Sequence, residues 1–174
     1  DLYPNVNWKD VLLRDGAMNY RASMDMEGGT STVRYFLSGS YFEQGGMYKT
    51  DKDLAKEYNT NANYRRYNYR LNTDINVTKT TLLKIGVSGS LAKHNDNGLN
   101  SDALWKSVLG YNPVLTPVMY SDGKVPAFGT GDWTNPWVVA TQTGFREKWN
   151  NNIQTNITLE QNFDFITKGL FFVG

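Results

Sequence analysis

The sequence predicts an all-β chain of antiparallel up-and-down strands forming part of a transmembrane β-barrel with long extracellular loops. Three observations predict it. Apolar and polar residues alternate through several runs of about ten residues, the period of a strand wetted on one side. Short turns and long polar connections follow one another in strict order, as they do when the two ends of a barrel face different compartments. No apolar run is long enough for a helix to cross a bilayer, a test that barrel strands escape because alternation dilutes their hydropathy.

Composition agrees with this class and excludes others. Aromatic residues are 14% of the 174, Tyr alone contributes 11, and mean hydropathy is −0.53, which suits strands with one aromatic-rich and one hydrated face. Charge is nearly balanced, 18 basic against 17 acidic residues, so there is no field of the kind that binds nucleic acid. The absence of Cys removes disulfides, thiolate metal sites and Cys nucleophiles. No cofactor is expected. His94 stands alone, and no constellation of nucleophile, base and orienting acid is found around it, so an enzyme is not expected.

Residues 1–16 are expected outside the membrane, with Asp10 to Arg14 as one helical turn anchored by Trp8. The first strand covers about residues 17–27, where Met18, Tyr20, Ala22, Met24 and Met26 alternate with Asn19, Arg21, Ser23, Asp25 and Glu27. Gly28-Gly29-Thr30-Ser31 turns it into a second strand, 32–43, in which Val33, Tyr35, Leu37, Gly39 and Tyr41 oppose Arg34, Phe36, Ser38, Ser40 and Phe42. Residues 44–64 are a long polar connection. The third strand, 65–78, has the clearest pattern: Tyr67, Tyr69, Leu71, Thr73, Ile75 and Val77 against Arg66, Asn68, Arg70, Asn72, Asp74 and Asn76. Thr78-Lys79-Thr80 turns into the fourth strand, 82–92, with Leu83, Ile85, Val87, Gly89 and Leu91 on one side.

Residues 93–148 form a second long connection rich in turn chemistry, including Asn97-Gly98, Ser121-Asp122-Gly123 and Asn135-Pro136. One short helix is expected within it, capped by Ser101 and ended by Gly110, with Leu104, Trp105, Val108 and Leu109 as its apolar stripe. The fifth strand, 149–166, sets Trp149, Ile153, Thr155, Ile157 and Leu159 against an Asn-rich side, and Thr167-Lys168-Gly169 leads into a sixth, 170–174, that has only begun when the chain stops at Gly174. About ten residues at ~3.3 Å each, tilted by roughly 45°, rise about 23 Å, close to the apolar band of an outer-membrane barrel. Five complete strands close no lumen, so the piece is expected to be part of something longer.

Particular residues carry a family resemblance in their shared order: Tyr3-Pro4-Asn5 with Trp8; Gly28-Gly29-Thr30 before Val33-Arg34-Tyr35-Phe36; Tyr41 with Gln44 and Gly46; Tyr64, Arg66, Tyr67, Asn68, Arg70, Asn72 and Asp74; Tyr120-Ser121-Asp122-Gly123-Lys124; Asn135-Pro136; and Thr167-Lys168-Gly169-Leu170. On these the chain resembles an early barrel region of a SusC/RagA-type TonB-dependent outer-membrane receptor, a nutrient importer typical of Bacteroidetes. Gly45 departs from the acidic residue frequent at that place in the family. The resemblance implies a barrel of about 22 strands in the outer membrane of a Gram-negative bacterium, an N-terminal plug that engages TonB and is absent here, a SusD-like surface lipoprotein as partner, and glycan or peptide as substrate. Outer-membrane lipid would surround it.

Trp105, Tyr111, Tyr120, Trp133 and Trp137 are the candidate contacts to a ligand or to the lipoprotein lid, because aromatic faces supply contact area at low entropy cost; the competing role is packing of the long loop on itself. Arg34, Phe36, Arg66, Arg70, Asp74 and Lys84 are candidates to face the lumen or the plug, against simple hydration and ion pairing. No metal site is expected: Asp96, Asn97, Gly98, Asn100 and Asp102 cluster oxygen ligands but miss the spacing of a calcium loop, and read as solvated loop polarity. His94 reads as a solvated loop residue. Two rival readings remain open, a soluble β-sandwich carbohydrate-binding module with the same aromatic platform, and a passive porin.

Overall fold

The structure is a computed structural model and describes residues 4–51, 53, 58–126 and 135–174. Among these residues six strands form one sheet in the order of the sequence: β1 (Asn19–Gly29), β2 (Val33–Gln44), β3 (Asn63–Asn76), β4 (Thr81–Asn97), β5 (Phe145–Asn162) and β6 (Phe171–Val173). Each strand pairs with its neighbours in the chain, the up-and-down antiparallel arrangement; β5 and β6 meet in the register Glu160 to Val173 and Asn162 to Phe171. The described residues also form three short helices, α1 (Trp8–Leu12), α2 (Ser101–Gly110) and α3 (Pro136–Thr141). Among the described residues the strands make a single sheet, without the second sheet that a sandwich core needs.

The chain divides into two compact units. One comprises residues 20–43, 65–92 and 149–174 and holds the tight turns. At the first turn, Thr30 Oγ1 accepts from the backbone N–H groups of Thr32 and Val33 (both 3.2 Å), and Thr30 N–H donates to Val33 O (2.7 Å). Gly28 and Gly29, expected in this turn, instead end β1. They are needed for close approach: a β-carbon at Gly28 would lie 2.7 Å from the Tyr35 hydroxyl, and one at Gly29 2.8 Å from Arg34 Cα. At the second turn the Thr78 hydroxyl donates to Thr81 Oγ1 (2.7 Å).

The strand expected to reach residue 166 stops at Asn162 because local side-chain bonds divert the backbone. Asp164 N–H donates to Asn162 Oδ1, Gly169 N–H donates to Asp164 Oδ1 (both 2.6 Å), and Gly169 adopts φ +84°. Conversely, β4 runs on to Asn97 and β5 starts at Phe145, beyond their expected ends. Charged residues obscured the alternation there; Lys93 and Glu147 form an ion pair, and Gly98 N–H donates to Gly144 O (3.0 Å).

The other unit comprises residues 1–19, 44–64 and 93–148. Its core is Leu12, Leu104, Val139 and Ala140, flanked by Val11, Tyr48, Val108 and Trp137, so it draws on all three helices. A helix of five residues such as α1 has little stability of its own and depends on this burial of Trp8 and Leu12. In α2 the cap is Asn100, not Ser101: Asn100 Oδ1 accepts from Ala103 N–H (2.8 Å), while the Ser101 hydroxyl donates to the Asp96 carboxylate (3.1 Å). The same connection also holds α3, which starts at Asn135-Pro136, a pair that reads as a turn in the sequence. Pro136 sits in the first turn, where its missing N–H costs nothing, and Asn135 Oδ1 accepts from Trp137 N–H (2.9 Å).

Asp96 and Asn97, expected as solvated polarity, are buried. Asp96 accepts from Asn97 N–H (2.9 Å) and from Ser101, and Asn97 Oδ1 accepts from the N–H groups of Leu99 (3.2 Å) and Asn100 (2.7 Å). Their oxygens organise the entry into α2, where free backbone donors need acceptors.

Candidate functional site

Strand alternation places two different chemistries on the two sides of the sheet. In β2 to β5 the odd-numbered residues form the apolar side, and Tyr41 lies against Tyr67 at a ring separation of 5.0 Å. In β1 the apolar side takes the even numbers, with Tyr20 6.0 Å from Tyr41. This side is open. Met24 and Ile157 are each 65% exposed, and Tyr35, Leu37, Tyr67, Leu71, Trp149 and Ile153 are exposed with them. Soluble monomers rarely leave so many large apolar side chains of one sheet face open to water.

The opposite side is polar and paired. Arg34 meets Asp74 at 3.4 Å, Lys84 meets Glu160, Asn68 Nδ2 donates to Ser40 Oγ (2.9 Å), and the Arg21 guanidinium lies 5.8 Å from the Phe42 ring centroid. Between these pairs an open recess of about 360 Å³ is lined by Arg66, Asn68, Arg70 and residues of β2, β4 and β5, with no carboxylate among its lining residues. An asparagine, Asn156, fills the polar side over Gly86, where any β-carbon would collide with it.

No family model matches the chain. It is 27% identical over 169 residues to TonB-dependent receptor P26 of Formosa agariphila, covering 92% of this chain and 14% of that protein. It is 22% identical over 148 residues to TonB-dependent receptor P3 of the same organism, covering 80% of this chain and 13% of that one. The chain therefore spans about a seventh of the length of these relatives. Two solved structures share its fold. The RagAB peptide importer in the closed-closed state matches 93% of this chain and 18% of its own with a TM-score of 0.56 at 16% identity, and the RagAB peptide transporter matches 91% and 17% with the same score at 19% identity. The chain resembles a stretch of a RagA-type TonB-dependent receptor.

The six candidates on the strands fall into three groups. Arg34 with Asp74 and Lys84 with Glu160 are ion pairs between neighbouring strands; Arg66 and Arg70 share the polar recess; Phe36 is half-buried on the same side of β2.

The four described loop aromatics, Trp105, Tyr111, Tyr120 and Trp137, have separate settings. Tyr111 is buried, its ring edge-on to Trp8 at 5.5 Å and its hydroxyl 3.0 Å from Thr116 Oγ1. Trp137 packs on the helical core. Tyr120 opens the turn that Gly123 closes, where Gly123 N–H donates to Tyr120 O (3.0 Å) and Gly123 has φ +80°. Trp133 lies outside the described residues. Trp105 faces a recess of about 350 Å³, shared with Leu13, Met47, Tyr48, Tyr64 and His94.

His94, read as a loop residue, is thus part of β4, its ring 6.5 Å from Tyr64. Sequence reasoning missed this second recess. The available signal was position: Tyr64 and His94 continue the even-numbered side of β3 and β4, but the polar residues around them hid the strand. Gly46 makes the wall possible, since a β-carbon there would strike Ala62 O and the Asn61 side chain.

Proposed function

We propose that this chain is part of the barrel wall of an outer-membrane TonB-dependent active transporter that imports nutrients, glycans or peptides, without altering them. The whole barrel would have about 22 strands, with a plug contributed by another part of the protein, TonB as energy source and a SusD-like lipoprotein over the extracellular side. The strands β1 to β6 would cross the membrane, and residues 1–16, 45–62 and 98–144 would form extracellular segments. Trp105, with Tyr120 and Trp137, would meet ligand or lid, and Arg34, Phe36, Arg66, Arg70, Asp74 and Lys84 would face lumen or plug.

The observation that carries the reading is the division of one up-and-down sheet into an exposed apolar side and a polar, ion-paired side. An aqueous sandwich would bury the first, and lipid would cover it. The TonB-dependent relatives and the RagAB fold support the same reading. The test is uptake of labelled oligopeptides and oligosaccharides by cells carrying the intact receptor, with and without an uncoupler. Accumulation abolished by the uncoupler and by deletion of the receptor is expected; uptake indifferent to the uncoupler would make the barrel a passive pore.

A further inference from the structure

The polar recess on the sheet has an unusual charge balance. Every other strand cation on that side of β2 to β4 has a carboxylate within reach, Arg34 with Asp74 and Lys84 with Glu160. The recess holds two arginines and no carboxylate. Arg66 uses its Nε on Asn68 Oδ1 (2.8 Å), and Asn68 in turn donates to Ser40 Oγ (2.9 Å), so this guanidinium is anchored from behind. Arg70 has neither an ion pair nor a hydrogen bond among the described residues. Ser88 and Asn152 add neutral donors to the same lining.

A guanidinium carries five N–H donors in a fixed fork that fits a carboxylate bidentately. Arg66 and Arg70 stand four residues apart on one strand, so their α-carbons are about 13 Å apart. Carboxylates four residues apart on an extended peptide have that same spacing. We propose that this recess is an oxyanion subsite for an acidic peptide, Arg66 and Arg70 each taking one side-chain carboxylate. The proposal rests on the transport reading, and it adds a substrate class to the polar wall: extended peptides with carboxylates on one edge.

The test is calorimetric titration of the intact receptor in detergent with pentaglutamate and, separately, pentaglutamine, at low and high salt. Pentaglutamate is expected to bind more tightly, and Arg66→Gln with Arg70→Gln to weaken it by at least about tenfold while leaving pentaglutamine unchanged. Lys168→Gln, which removes one cation from the turn before β6, is expected to have no effect. Heat-modifiable gel mobility reports whether each variant folds; if the Gln pair does not, Arg66→Lys with Arg70→Lys keeps the charge and loses the fork, and wild-type affinity in it overturns the proposal. Equal affinity for the two peptides overturns it too. A Gln pair that lowers the melting temperature of the empty receptor with pentaglutamate affinity intact overturns it as well, assigning the arginines to carboxylates of the receptor itself. Failure of the transport reading is separate, since it shows as loss of uncoupler-sensitive uptake of uncharged solutes by the wild-type receptor.

Discussion

The side chain of Asn156 on β5 occupies the space above Gly86 on β4 that a β-carbon at residue 86 would need. Glycine in a strand weakens it through lost packing and entropy, and here the gain is room for an amide on the polar side. Gly86→Ala is therefore expected to push the exposed Asn156 side chain aside and to cost the intact barrel about 1 kcal/mol or less. Asn156→Ala should relieve the clash, so the double variant recovers much of the loss, a non-additivity readable in urea titrations of vesicle-refolded receptor. Additive losses would contradict the contact.

The two sides of β3 predict opposite tolerance to charge. Leu71→Arg, on the exposed apolar side, is expected to cost about 2–4 kcal/mol if it lies near the bilayer midplane, and Asn72→Arg much less. The same refolding titration measures both, and equal costs would exchange the face assignment for another.

Asp164 predicts an acid-sensitive turn. The backbone N–H of Gly169, and after it the Asn162 amide, hold the Asp164 carboxyl below its usual value. A carboxyl lowered on folding adds stability that is in place above its unfolded value, about 3.9, and is lost as pH falls through the lower folded value. Acid should thus loosen the 163–170 turn, and Asp164→Asn should flatten that dependence. Hydrogen exchange at Gly169 across the acid range is the measurement; unchanged slopes in the variant would exclude this carboxylate as the cause.

Asn135 performs two tasks from a fully buried position, accepting from Trp137 N–H and donating to Pro126 O (2.6 Å). Asn135→Ala is expected to cost the cap, about 0.5–2 kcal/mol, and to leave a buried carbonyl unpaired as well. Limited proteolysis of the intact receptor should show earlier cleavage within 98–144. Protection equal to wild type would mean that α3 holds without its cap.

Trp105 predicts where the second recess can be opened. It lies on α2, partly exposed, outside the buried core of Leu12, Leu104, Val139 and Ala140. Trp105→Ala should leave melting within about 1 kcal/mol of wild type while enlarging the recess, whereas Leu104→Ala should cost about 2–5 kcal/mol. Thermal unfolding of the two variants compares them directly, and a comparable loss would place Trp105 in the core.

Much of the sheet was legible in the residues themselves. Alternation has period two and is local, so Met18 to Met26, Tyr67 to Val77 and Leu83 to Leu91 announce their strands and their faces without reference to anything distant. The turn threonines and Asp164 likewise act within a few residues. Arg34 and Asp74, on polar sides forty positions apart, could be placed on a common side but not paired.

The sequence by itself determined the strands, their order of short and long connections, and which residues share a side, because these depend on spacing along the backbone. Only the tertiary structure decided which glycines serve close approach, that Asp96 and Asn97 are buried acceptors at the start of α2, that Tyr111 is core, and that His94, Tyr64 and Trp105 share a recess. Each of these depends on what a distant segment brings within a few ångströms, and burial and hydrogen bonding are settled there by packing, not by local pattern.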